Sequence, residues 1–252
     1  IHLAANLIIN EGQKKPKKYY KNNVEGTKKL LEACKNTNVK NFIFSSTAAI
    51  YKEGQFRVTE KSKIGPKSIY GKTKIQAEKL IQNFAKKNKI NYAILRYFNI
   101  AGASPSGKIG LINKNSDHLF KNFSMEVMKN KPNLQVYGTN YNTKDGSCIR
   151  DFIHVSDIAE IHYLVLEKIN KFNTSKIFNC GYNKGTSVLE VANEFKKQVS
   201  KKVNILKTSK RKNDLIKIIA SNKKLVKFIK WKPKFNSLSK IVKSCIKWEK
   251  NN

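Results

Sequence analysis

Acidic residues are scarce in this chain. Asp and Glu number 17 against 51 Lys and Arg in 252 residues, a formal charge of +34. Such a balance would suit nucleic acid or an anionic membrane. The basic residues run along the whole chain, however, and no zinc-finger, RNP or KH pattern accompanies them. They read as a solvated lysine surface. Cysteine is sparse too: Cys34, Cys148, Cys180 and Cys245 lie far apart with no CxxC, which reads as reduced, mostly buried thiols. No run of 18 apolar residues occurs, so no transmembrane helix is expected, and no signal peptide is expected either. His2, His118, His154 and His162 show no HExxH spacing, so no metal site is expected. There is no internal repeat. A hydrophobic share of 40% over this length can nevertheless bury a real core, in one or two domains.

Periodicity places the elements. Val24, Leu30, Leu31 and Cys34 recur at helical spacing across 17–35. NFIFSST, 41–47, reads as a short buried strand ending in small hydroxyl residues. A polar loop follows, with Pro66 ahead of a helix over 69–87 striped by Ile75, Leu80, Ile81 and Phe84. NYAILRYFN, 91–99, is a second buried strand. Strands alternating with helices predict an α/β fold with a parallel, Rossmann-like sheet. Beyond residue 100 the spacing predicts helices over 117–129, 187–195 and from 238, and one capped by Ser156 that runs to 169. Strands are predicted at 134–138, 177–181 and 203–206. The expected division is a partial dinucleotide-binding domain over 1–100 and a smaller substrate-binding lobe over 101–252, some of whose segments return to the first.

SIYGKTK, 68–74, sets Tyr70 four residues before Lys74, on one face of a helix. A Tyr and a Lys so placed can act on one substrate atom, the ammonium favouring the phenolate. The spacing alone says little, because ten Tyr among 51 Lys and Arg give about two such pairs by chance. Topology says more. Ligands of parallel sheets sit beyond the carboxyl ends of the strands. SST at 45–47 and the YFN of 97–99 lie at such ends, and Tyr70 and Lys74 fall early in the helix between them.

SSTAAIY, YGKTK, RYFNIAGASPSGKIG and DGSCIRDFIHVSDIA occur in that order. The ordered set resembles the UDP-glucose 4-epimerases, NAD-dependent enzymes of the extended short-chain dehydrogenase/reductase type. The resemblance covers nearly the whole chain. It implies an isomerase that interconverts UDP-glucose and UDP-galactose with a tightly held NAD. By carry-over, Tyr70 is the catalytic base, Lys74 the ribose ligand that keeps Tyr70 acidic, and Thr47 the hydroxyl on the sugar O4. Ala4, Ala5 and Asn23 would touch NAD. Asn99, Leu119, Tyr137, Arg150 and Arg211 would contact the UDP-sugar, with the two Arg on the diphosphate as rigid forks and Tyr137 on the uracil. The lack of targeting segments and the need for NAD suggest a cytoplasmic protein, and the resemblance implies a homodimer, when full length, through helices near 18–35 and 69–87.

Some positions depart from the family pattern. Leu7 stands where some members have a cofactor-contacting Lys, Lys52 where Gly is usual, Ile69 in place of Pro, and Ile218 in place of a Tyr lining the sugar pocket. The glycine-rich GxxGxxG turn, which would seat the NAD pyrophosphate, does not occur. With IHLAAN opening without Met as if at the end of a strand, roughly 60 to 65 residues are expected to precede it, and the chain as given would lack half of the cofactor site. A related 4,6-dehydratase would need an Asp-Glu pair after Thr47, where Ala48 and Ala49 stand. A 4-epimerase of another UDP-sugar and a basic, non-enzymatic nucleic-acid-binding protein remain as alternatives.

Overall fold

The computed structural model describes residues 1–113, 117–211 and 215–252. In chain order the elements are α1 (Ile9–Lys14), α2 (Pro16–Tyr20), a π turn over Lys21–Glu25, α3 (Gly26–Lys35), β1 (Asn41–Thr47), a 3-10 turn at Ala48–Ile50 and β2 (Arg57–Val58). Then come α4 (Ile69–Asn88), β3 (Asn91–Tyr97), β4 (Asn99–Ala101), α5 (Leu119–Glu126), β5 (Asn133–Tyr137), β6 (Ile149–Arg150) and β7 (Phe152–His154). The last are α6 (Val155–Phe172), β8 (Lys176–Cys180), β9 (Thr186–Ser187), α7 (Val188–Lys197), β10 (Asn204–Thr208), β11 (Lys217–Ala220), α8 (Lys223–Ile229) and α9 (Leu238–Lys250). The elements form two compact units. The first comprises 1–97, 160–180 and 222–231; the second comprises 98–159, 181–221 and 232–252.

The first unit carries a parallel sheet in the order β1-β3-β8. Phe44 pairs with Ile94 and Thr47 with Tyr97, which brings the carboxyl ends of β1 and β3 level. His2 extends the sheet by one bridge to Phe44, its N–H donating to Ile43 O at 2.8 Å. Phe42, Phe44 and Ile94 bury against Ala77 and Ile81 of α4 and Leu31 of α3. This is the expected Rossmann-like α/β arrangement, with apolar strands covered by the apolar stripe of a helix.

The second unit pairs β4 with β7, β5 with β10, and β6 with β11, each in parallel, while β6 and β9 run antiparallel. Its core gathers Phe120 and Phe123 of α5, Leu134 and Val136 of β5, Phe195 of α7 and Val242 of α9.

Several elements differ from the sequence reading. The helix over 17–35 is interrupted by the π turn, and NYAILRYFN breaks at Phe98 into β3 and β4. Ser156 does not cap α6, because the helix already includes Val155. The N–H of Ser156 donates instead to His154 Nδ1 at 3.0 Å. Burial pushes the His154 imidazole down to about 4, so the ring is neutral near pH 7 and its nitrogen is free to accept. None of the four cysteines is in a disulfide, and three of them are buried. Among the described residues no helix is long and apolar enough to cross a membrane.

Candidate active site

The site is built where β1 ends and α4 begins. Ser68 caps α4 by accepting from Gly71 N at 3.0 Å, which puts Tyr70 in the first turn and Lys74 one turn later. Gly71 lets that turn close on the strand end. A Cβ there would lie 2.5 Å from the Ala49 carbonyl oxygen and 2.8 Å from Pro66 Cβ. Only a residue without a side chain permits this approach, and it sets Tyr70 beside Thr47. The Thr47 hydroxyl accepts from Ala49 N at 3.2 Å, which orients it, and it hydrogen-bonds the Tyr70 side chain.

Electrostatics at the site is dominated by burial. Burial raises the half-buried Tyr70 phenol above its ordinary range, opposed by the Thr47 hydrogen bond. The expected lowering by Lys74 is not what opposes it here. Lys74 is 2% exposed, and its ammonium lies 4.1 Å from the centre of the Phe44 ring. Burial pushes that ammonium down to about 8, against the pull of the Glu78 carboxylate. His2 sits nearby with its Nε2 3.0 Å from Thr27 Oγ1. Burial first, then Lys74, lowers its imidazole to about 4.

Of the other cofactor candidates, Ala4 is exposed and Ala5 half-buried. Asn23 is buried in the π turn. Its Oδ1 accepts from Asn6 N at 2.8 Å, and its Nδ2 donates to Asn6 O at 2.9 Å and to Thr73 Oγ1 at 3.1 Å. Asn23 therefore ties the segment holding Ala4 and Ala5 to the turn of α4 just before Lys74. Leu7 is exposed, and Ile69 opens α4.

Apart from Thr47, the substrate candidates fall in the second unit. Asn99 begins β4, and its N–H donates to Asp151 O at 3.0 Å. Leu119 opens α5 and packs on the apolar core. Tyr137 ends β5, donates from its hydroxyl to Gln135 Oε1 at 2.6 Å, and carries the Arg211 guanidinium 3.9 Å from its ring centre. Arg150 lies on β6 opposite the buried Ile218, and its Nη1 donates to Ile149 O at 3.0 Å. Tyr137 and Arg211 are thus brought together.

The sequence pattern of the NAD dependent epimerase/dehydratase family matches residues 1–181. The chain belongs to this family. It is 38% identical to the UDP-glucose 4-epimerase of Halalkalibacterium halodurans, covering all of this chain and 76% of that one. The crystal structure of the Brucella ovis UDP-glucose 4-epimerase in complex with NAD superposes with a TM-score of 0.92 at 32% identity, over 97% of this chain and 76% of the other. The Bifidobacterium longum UDP-glucose 4-epimerase in complex with NAD+ and UDP matches with a TM-score of 0.89 at 31% identity, over 100% and 76%.

Two features of this family member escaped the sequence reading. Gly71 was visible only as the middle of YGK; its need appears once Ala49 is in place behind it. Glu78 and Arg96 form a buried ion pair, Nη2 to Oε2 at 2.7 Å and Nε to Oε1 at 3.1 Å. The available signals were an acid one turn after Lys74 and a lone Arg inside an apolar strand.

Proposed function

We propose that this protein is a UDP-glucose 4-epimerase, interconverting UDP-glucose and UDP-galactose with bound NAD, and that Thr47, Tyr70 and Lys74 are its catalytic residues. The observation that carries the reading is the hydrogen bond between Thr47 and Tyr70 with Lys74 one turn away, at the carboxyl end of a parallel sheet. The donor set fits the nicotinamide riboside end of the cofactor: a buried ammonium over an aromatic ring takes the oxygens of a ribose diol as acceptors. Ala4, Ala5 and Asn23 would flank it. NAD supplies the hydride acceptor and donor for C4 of the sugar. Tyr70 Oη takes the proton of the sugar 4-OH and later returns it. The Thr47 hydroxyl holds the sugar O4 in reach of Tyr70. Lys74, while charged, favours the phenolate of Tyr70.

Asn99, Leu119, Tyr137, Arg150 and Arg211 would hold the UDP portion. The two guanidiniums would face the diphosphate and Tyr137 the uracil. The reading also takes the protein to be cytoplasmic and a homodimer through the α3 and α4 faces. Incubation with NAD and UDP-galactose, followed by chromatography, tests the activity. UDP-glucose is the expected product. A 4-keto-6-deoxy sugar, or no turnover with NAD bound, overturns it. Sedimentation velocity tests the dimer.

A further inference from the structure

Behind the catalytic face of α4 lies a charged network that the proposed chemistry does not use. Glu78 follows Lys74 by one turn on the same face of α4 and is 0% exposed. Its Oε1 accepts from Ser46 Oγ at 2.5 Å, and its two oxygens take the fork of Arg96. Ser46 immediately precedes Thr47, and Arg96 immediately precedes Tyr97. Arg96 is held in turn by the Tyr51 hydroxyl at 3.1 Å and the Glu60 carbonyl at 3.2 Å. Tyr51 donates to Asn179 Oδ1 at 2.5 Å on β8. One carboxylate thus joins α4 to the ends of β1 and β3, and through Arg96 and Tyr51 to β8.

We propose that Glu78 is a positioning residue of the catalytic site: its buried carboxylate, clamped by Ser46 and Arg96, fixes the turn of α4 that carries Lys74 and keeps that ammonium charged beside Tyr70. The inference rests on Lys74 acting as proposed above. A buried ammonium needs a nearby counter-charge to stay protonated. The groups around Lys74 are His2 from the opening segment, the Phe44 ring on β1, Tyr70 and Glu78 on its own helix, and Arg96 on β3 beyond Glu78. His2, lowered to about 4, is neutral where Lys74 titrates, and Glu78 is the anion among them. An ion pair serving only to hold the fold would need no such placement: its negative end lies one turn from Lys74, and its positive end points away to β3.

The test reads the Lys74 charge directly, without cofactor or substrate. In ¹³C-lysine-labelled protein, the Lys74 side-chain resonance is identified by its loss in Lys74→Met. It should titrate near 8, clear of the ordinary lysines at about 10.4. Glu78→Gln should move that midpoint down by about one unit or more, leaving ~10-fold less ammonium relative to amine at a given pH. If the single variant does not fold because Arg96 is left unpaired, Glu78→Gln/Arg96→Met removes both charges and should shift the midpoint the same way. A midpoint within about 0.3 units of the wild type in a folded variant overturns the proposal. In loaded enzyme the basic limb of kcat should follow the same displacement. Absence of epimerase turnover with a shifted midpoint would reject the functional reading and leave the Glu78–Lys74 coupling standing.

Discussion

At the scale of single residues, Tyr70 and Lys74 make opposite demands on the protein. Tyr70→Phe removes one half-buried hydroxyl whose partner is Thr47, so packing barely changes. Turnover should fall by about 100- to 10,000-fold, the usual worth of a general base, with an unchanged thermal midpoint. Near-normal turnover with Phe at 70 would remove Tyr70 from the chemistry. Lys74 is held near 8 against an ordinary 10.5, so the folded state resists its protonation. The unfolded chain binds that proton more readily, so stability linked to Lys74 falls as pH drops from about 10.5 to 8, and below 8 the full penalty stays constant. Lys74→Met should therefore abolish turnover yet stabilise the protein at pH 7, by up to about 3 kcal/mol. The gain should vanish above pH 10.5. Chemical denaturation at pH 7 and pH 10.5 compares the two; equal differences at both would show that Lys74 bears no such penalty. A site residue that costs stability is the expected form of a function–stability trade.

At the scale of elements, the seam between β1 and α4 decides whether the site exists. Gly71→Ala should push the first turn of α4 off the Ala49 carbonyl, because the added Cβ meets backbone rather than a movable side chain. The cost should be about 1–3 kcal/mol, as for other overpacked sites, and turnover should drop with it, since Tyr70 moves away from Thr47. Ser187→Ala in the second unit provides the comparison. It removes the capping box of α7, where Ser187 Oγ accepts from Glu190 N at 3.0 Å, and should cost about 1 kcal/mol of stability with turnover intact. Urea melts alongside rate measurements separate the two. A Gly71→Ala enzyme with full activity would show that the close approach is not needed.

At the scale of the whole molecule, charge is unbalanced. Ion pairs such as Lys18–Glu11 and Lys28–Glu32 are solvent-exposed and weak, while +34 of formal charge repels itself. Raising ionic strength from low to physiological levels should therefore raise the melting temperature, by about 2–4 °C for each ~1 kcal/mol of repulsion screened. Scans in NaCl series check this. A midpoint that falls with salt would mean that attractive surface pairs outweigh the repulsion.

What the sequence determined by itself follows from local periodicity and local chemistry. Alternating apolar strands and striped helices specify a parallel α/β sheet wherever they occur, so β1, α4 and β3 were legible within a residue or two, and the helical spacing of Tyr70 and Lys74 with them. The SST strand end at 45–47 was legible because a strand end at a parallel sheet is a ligand-facing position, while the choice of Thr47 within it came from the resemblance. Tertiary structure decided the rest. The two-residue strands β2, β6 and β9 are too short to carry a period, and the apolar run of 91–99 could not announce its break at Phe98. Ser156 looked like a cap, but the neutral ring of His154, buried by its surroundings, took that role. The depressed charge of Lys74, the need for Gly71 and the clamp of Glu78 between Ser46 and Arg96 all depend on how closely distant segments approach. Burial and distance, which set a charge's cost and a hydrogen bond's existence, are properties of the packed chain and are not written at any one position.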